Sequence, residues 1–101
     1  HPLRRNHPER FPASVRFVSL EPLIGPTPRL NLTNIDWAIV GGESGPRSRA
    51  IEQVWVQEIF EECRRHGTAF FFKQWGGVNK KKTGRTFNGQ EWNEYPAVMR
   101  V

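Results

Sequence analysis

The stretch DWAIVGGESG, residues 36–45, runs from a continuous apolar segment straight into two glycines, a glutamate and a serine. A short apolar run closed by glycines is the pattern of a strand covered on both faces, as in a parallel sheet. Residues 36–42 are therefore read as a strand. The glycines fit neither the G-x-G-x-x-G nor the G-x-x-x-x-G-K-[ST] spacing of the nucleotide-binding loops. The rim of an active site, an anion cradle and a tight turn remain open as readings of Gly-Gly-Glu.

The next two segments of the chain settle the fold class. In IEQVWVQEIFEECRRHG, residues 51–67, Val56, Ile59, Phe60 and Cys63 recur at the i, i+3, i+4, i+7 spacing of one helix face. Glu52 near the start and Arg64, Arg65 and His66 near the end suit the helix dipole, and Gly67 is a natural stop. TAFFFKQW, residues 68–75, is a second apolar run of the doubly covered kind. Strand, helix and strand in this order predict a right-handed crossover between parallel neighbours. Upstream, VRFVSLE at 15–21 alternates apolar and polar residues and predicts a third strand beside them. Three prolines between Pro22 and Pro28 leave no room for a long helix before the second strand. The expected class is α/β.

The ends differ in character. Residues 1–14 carry prolines without periodicity and read as a flexible tail; residues 15–77 hold the α/β elements; residues 78–101 read as a basic loop followed by a hairpin at Asn88-Gly89. The chain opens on His1 without a methionine, as an excised segment does. Its 101 residues, 37% hydrophobic and 12% aromatic, suffice for a modest core. No apolar run reaches the roughly 18 residues a membrane span requires, and no secretory signal is visible, so a cytoplasmic protein without a membrane partner is expected. Cys63 is the sole cysteine, which excludes an internal disulfide and an all-cysteine metal site. No metal site is expected, since His1 and His7 lie in the proline-broken tail.

Ligands of parallel α/β sheets bind beyond the carboxyl ends of the strands. Here those ends carry Ser19 and Glu21, then Gly41, Gly42, Glu43 and Ser44, then Lys73, Gln74 and Trp75. Glu21, Glu43 and Lys73 are the candidate catalytic residues. Ser19, Gly41, Gly42, Ser44, Gln74 and Trp75 are the candidate substrate contacts. The plainer alternative is an exposed Glu21–Lys73 ion pair worth about 0–1 kcal/mol. Arg47 and Arg49, just before the helix, offer a place for an anion. Cys63, on the apolar helix face, is read as a buried small hydrophobe. The net charge of +5 leaves a second class open: Lys80, Lys81, Lys82 and Arg85, with Trp75 and Trp92 nearby, form a candidate nucleic-acid contact. A scaffold without chemistry is the third.

RFVSLEPLIG, IDWAIVGGESGP and FFFKQWGG, taken together, resemble the carboxyl-terminal half of the phage gp thirty-seven/gp sixty-eight family, proteins of unknown function from phages and bacteria. The likeness covers residues 15–96. It implies a partial (β/α) barrel and a radical S-adenosylmethionine-like enzyme, with a [4Fe–4S] cluster held at the barrel mouth by upstream cysteines. By that resemblance the chain alone binds no cofactor, and its partners are the missing N-terminal half of the same protein and an unknown substrate. Glu21 and Glu43 would bind or deprotonate that substrate, Lys73 would neutralise an anionic group, and Trp75 would wall the site.

Overall fold

A computed structural model describes residues 15–77 and 84–97. The predicted α/β unit is present. Strand β1 spans Phe17–Leu20, β2 Trp37–Val40 and β3 Ala69–Phe72, with helix α1 at Gln53–His66 between the last two. The strands form one open parallel sheet in the order β1-β2-β3. Leu20, Val40 and Phe72 share one row of the register, and Phe17, Trp37 and Ala69 another.

Because strand side chains alternate between faces, this register sorts them into two sets. Val18, Leu20, Ala38, Val40, Phe70 and Phe72 share one face, and Ala38, Val40, Phe70 and Phe72 are buried there. Helix α1 covers that face with Val56, Ile59 and Cys63, all fully buried. Phe60 packs edge-on against Phe70, Phe87 and Trp92, with ring centroids 5.3, 5.6 and 4.7 Å away. Each large apolar side chain removed from water contributes about 1.5–3 kcal/mol, so this aromatic layer is the main stabilising unit. The helix stops where expected: Gly67 adopts the left-handed conformation at φ 69°, and the Thr68 amide donates to the Cys63 carbonyl at 2.9 Å.

The proline-rich connection from β1 to β2 is not helical, yet it crosses the same face. Leu23 and Leu32 are buried in one cluster with Val56 and Ile59. Both crossovers therefore lie on one side of the sheet, as same-handed steps in one direction require.

The opposite face differs from the expectation of double cover. Phe17 is 59% exposed and Tyr95 45%, and Trp37, Ile39 and Phe71 are only partly buried. Among the described residues this face has Tyr95 laid against Trp37 and Phe71, at 5.4 and 5.7 Å between centroids, and no helix. The apolar runs that suggested double cover are real. Among the described residues no further helix or strand covers the second face.

The expected hairpin is a single rung. Phe87 and Gln90 exchange both backbone hydrogen bonds around Asn88 and Gly89, whose φ values of 50° and 81° suit a primed two-residue turn. The chain then runs antiparallel along the outer edge of β3. The Phe72 amide donates to the Trp92 carbonyl at 2.9 Å, and the Glu94 amide to the Phe70 carbonyl at 3.2 Å. The expected tail at 1–14 and the lysines at 80–82 lie outside the described residues.

Phe70, fully buried between α1 and the tail, tests the core assignment. Phe70→Ala is expected to cost about 3–5 kcal/mol, read in urea unfolding followed by circular dichroism. A loss below about 1 kcal/mol contradicts a core centred on this ring.

Candidate functional site

The sheet does not end at its strands. Past β2 and β3 the backbones stay together: the Gly42 amide donates to the Gln74 carbonyl at 3.0 Å and the Gly77 amide to the Glu43 carbonyl at 2.6 Å. The loops approach so closely that a Cβ on Gly42 would overlap the Trp75 carbonyl, and one on Gly76 the Glu43 carbonyl. Gly-Gly-Glu and Trp-Gly-Gly thus form one backbone-to-backbone seam. The glycines serve a close approach between two loops, an arrangement outside the three readings the sequence left open, and it lies beside a cleft at the strand ends.

Gly41 has a different part. It lies one residue beyond the Leu20–Val40–Phe72 row, between Glu21 and Lys73. A Cβ there would crowd the Gln74 amide at 3.1 Å and meet the Glu21 carboxylate at 3.5 Å. With no side chain on the central strand, the flanking side chains reach over it, and Lys73 Nζ lies 2.9 Å from Glu21 Oε2. The two side chains are 45% and 30% exposed, so the pair is worth about 0–1 kcal/mol. By strand alternation this row belongs to the uncovered face, as does exposed Ser19.

Glu43 is held differently. Both its carboxylate oxygens face Arg49: Nε at 2.9 Å and the backbone amide at 2.8 Å donate to Oε1, and Nη2 donates to Oε2 at 2.6 Å. Those Arg49 hydrogen bonds hold the carboxyl down at about 2 against an ordinary 4.5. A carboxylate so firmly ionised is a weak proton acceptor near neutral pH. In the folded chain Glu43 anchors the loop that leads into α1.

The remaining candidates divide. Gln74 donates from Nε2 to the Gly42 carbonyl at 3.0 Å, which places its amide at the seam. Trp75 turns towards the core instead: its ring meets Phe72 at 4.8 Å, and its Nε1 donates to the Thr86 carbonyl at 2.7 Å. Arg85 is likewise committed within the chain. It donates to the Phe72 carbonyl at 3.2 Å and to the Asn93 side chain, and its guanidinium lies 5.7 Å from the Phe71 ring centre. Cys63 is fully buried, and burial pushes its thiol up to about 12, as befits an inert packing residue.

Glu21, Glu43, Ser44 and Gln74 line one cleft of about 650 Å³ at the strand ends, together with Arg47 and Ser48. The sequence flagged Arg47 by its place before the helix and gave no signal for Ser48, which lies in a loop without periodicity. A second hollow of about 570 Å³ sits at the opposite, amino-terminal ends of the strands, around Asp36, Thr68, Ala69 and Glu94. Its walls are structural. Thr68 Oγ1 donates to the Ile35 carbonyl at 2.9 Å, and Arg64 Nη1 donates to Glu94 at 3.1 Å. The carboxyl-end cleft is the one where parallel sheets place ligands.

The class these features define is a small parallel α/β module with a cleft beyond its strand ends that Glu21, Glu43 and Arg47 help to line, and with one apolar sheet face only partly covered. The chain belongs to the family described as a protein of unknown function (DUF5131), whose family model matches residues 3–96. No curated protein and no solved structure matches it. Among the described residues no helix is long and apolar enough to cross a membrane.

The Glu43–Arg49 clamp has a defined pH signature. With the folded carboxyl near 2 and the free one at 4.5, its stabilisation is complete above about 4.5 and is lost as pH falls through about 2. In carbon-detected NMR, the Glu43 carboxyl is expected to titrate well below 4.5. Arg49→Gln should raise its midpoint towards 4.5, and an unmoved midpoint contradicts the clamp.

Proposed function

We propose that this chain is one sector of a singly wound (β/α) enzyme, its uncovered sheet face turned to the interior and its strand-end rim facing substrate. The observation that carries this reading is the placement of both crossovers on one face of a β1-β2-β3 parallel sheet. Parallel sheets bury both faces. A doubly wound fold does so with helices on each side, whereas a barrel does so by closing one face upon itself. Phe17, Trp37, Ile39 and Phe71 are apolar enough to fill such an interior, and the row Glu21, Gly41, Lys73 stands at its carboxyl-terminal mouth.

The rim suggests the division of labour. Glu21 and Lys73 neutralise one another at rest, so a substrate bearing an acidic group exchanges for Glu21 against Lys73. That frees the Glu21 carboxylate to accept a proton or a hydrogen bond. Glu43, clamped by Arg49, positions the loop, and Gln74 offers an uncharged contact at the seam.

The reaction class rests on the resemblance to the phage family, which implies radical S-adenosylmethionine chemistry in the complete protein. A [4Fe–4S] cluster takes several cysteine thiolates. This chain has one cysteine, deep beneath α1 with its thiol held protonated, so its residues do not fit as the cluster's ligands. In this reading the cluster belongs to other segments of the polypeptide, and the chain supplies substrate contacts.

The complete reading frame, purified without oxygen, tests both parts. Bound iron and sulfide with reductive cleavage of S-adenosylmethionine to 5′-deoxyadenosine are expected, and absence of both overturns the radical chemistry. Ile39→Asp tests the closed face independently. It should lower the melting temperature of the complete protein by several degrees more than that of residues 1–101 alone, where Ile39 is half-buried. An equal loss in both overturns the barrel sector.

A further inference from the structure

We propose that a parallel strand from the polypeptide ahead of His1 pairs with the free edge of β1, and that β3 is the last parallel strand of the sheet. This pairing rests on the reading of the chain as one sector of a longer enzyme, and it supplies the missing flank of the rim.

The two edges of the sheet are in opposite states. On the outer edge of β3 the backbone groups of Phe70 and Phe72 are all taken. The Phe70 amide donates to Glu94 Oε1 at 2.9 Å, and the Phe70 carbonyl accepts from the Glu94 amide at 3.2 Å. The Phe72 amide donates to the Trp92 carbonyl at 2.9 Å, and the Phe72 carbonyl accepts from Arg85 Nη2 at 3.2 Å. No strand can pair with β3 there without displacing the tail.

The edge at β1 is open. The Arg16 and Leu20 carbonyls accept from the Trp37 and Gly41 amides, both at 3.3 Å. In a ladder, alternate residues turn their N–H and C=O towards the same neighbour, so Phe17 and Ser19 turn theirs outward. Among the described residues nothing meets those groups. Edge strands that stay unpaired ordinarily carry a charge, a proline or a cover. Strand β1 reads FVSL, with neither charge nor proline, and Phe17 is 59% exposed.

Burial falls off in the same direction on both faces. Beneath α1, Val40 and Phe72 are fully buried, whereas Leu20 in the same row is only half-buried. On the other face exposure rises along the row from Ala69 through Trp37 to Phe17. Both layers therefore lack a neighbour on the β1 side. The order of the chain says what that neighbour is. β1, β2 and β3 step one way across the sheet, with both crossovers on one face. A preceding strand joined by the same right-handed step lands beside β1 and parallel to it. Its carboxyl end then stands at the rim next to Glu21, on the side away from Gly41. Glu21 would thus lie between two strands, and the rim is incomplete without the residue the added strand brings.

The test is amide hydrogen exchange in the complete polypeptide, read residue by residue by NMR. Phe17 and Ser19 should exchange slowly, within about tenfold of Val18 and Leu20, which already pair with β2. Contacts across the β1 edge should run to residues ahead of His1 in the same molecule. Exchange of Phe17 and Ser19 at the rate of unpaired amides, beside protected Val18 and Leu20, overturns the proposal. So do close Hα–Hα contacts across that edge, which mark an antiparallel partner. Contacts between copies, in a sample mixing labelled and unlabelled protein, assign the edge to a second copy and overturn it too. A protected β1 edge in a protein that loses equally with and without its other segments on Ile39→Asp removes the barrel sector and leaves this pairing standing. Fast exchange at Phe17 and Ser19 beside the unequal loss does the reverse.

Discussion

Two glycine-bearing loops meet at the carboxyl-terminal edge of this sheet, and the rim is built on that meeting. Gly42 and Gly76 lie so close to the opposing backbone that neither position tolerates a Cβ without movement of the chain. The contact carries the β2–β3 pairing beyond the strands, through the bonds from Gly42 to Gln74 and from Gly77 to Glu43. It fixes where Glu43 leaves the sheet, and hence where Arg49 must come to meet it. It also fixes Gln74 against the Gly42 carbonyl. Backbone hydrogen bonds are short-ranged and directional, so this seam positions side chains more tightly than a solvated loop would.

The charges at the rim obey the same geometry. Gly41 leaves a gap on the central strand, and Glu21 and Lys73 close over it. Glu43 and Arg49 form a second, separate pair. Neither pair is deeply buried, and neither holds the fold together; the aromatic layer around Phe70 and Phe60 does that. The pairs decide instead which groups stay available at the cleft. That separation of stability from chemistry, with the core beneath α1 and the polar groups at the strand ends, is the usual division in parallel α/β proteins.

Much of the architecture was legible in the sequence because it depends on periodic signals. The spacing of Val56, Ile59, Phe60 and Cys63 identified α1 and its buried face, and Gly67 marked its end. The apolar runs at 36–42 and 68–75 located β2 and β3, and Asn88-Gly89 located the turn. The extent of cover was misjudged: runs that are apolar on both faces do not reveal which residues supply the second layer, and here one face of β2 and β3 stays partly open. Trp75 stood among the candidate substrate contacts for its place at the end of β3, and Arg85 among the candidate nucleic-acid contacts for its charge. The structure turns the indole onto Phe72 and the guanidinium onto Phe71, contacts set by the antiparallel tail.

By itself, then, the sequence determined the order and type of the elements and the edge at which polar groups gather. Both arise from local periodicity and from the handedness of parallel crossovers, which are properties of neighbouring residues. Only the tertiary structure decided which charge meets which. Glu21 and Lys73 are paired across strands, Glu43 takes Arg49 rather than Arg47, and the Ser48 hydroxyl is left over. Those choices turn on differences of a few ångströms between chain segments brought together by the sheet, and no periodic pattern in the sequence encodes distances of that kind.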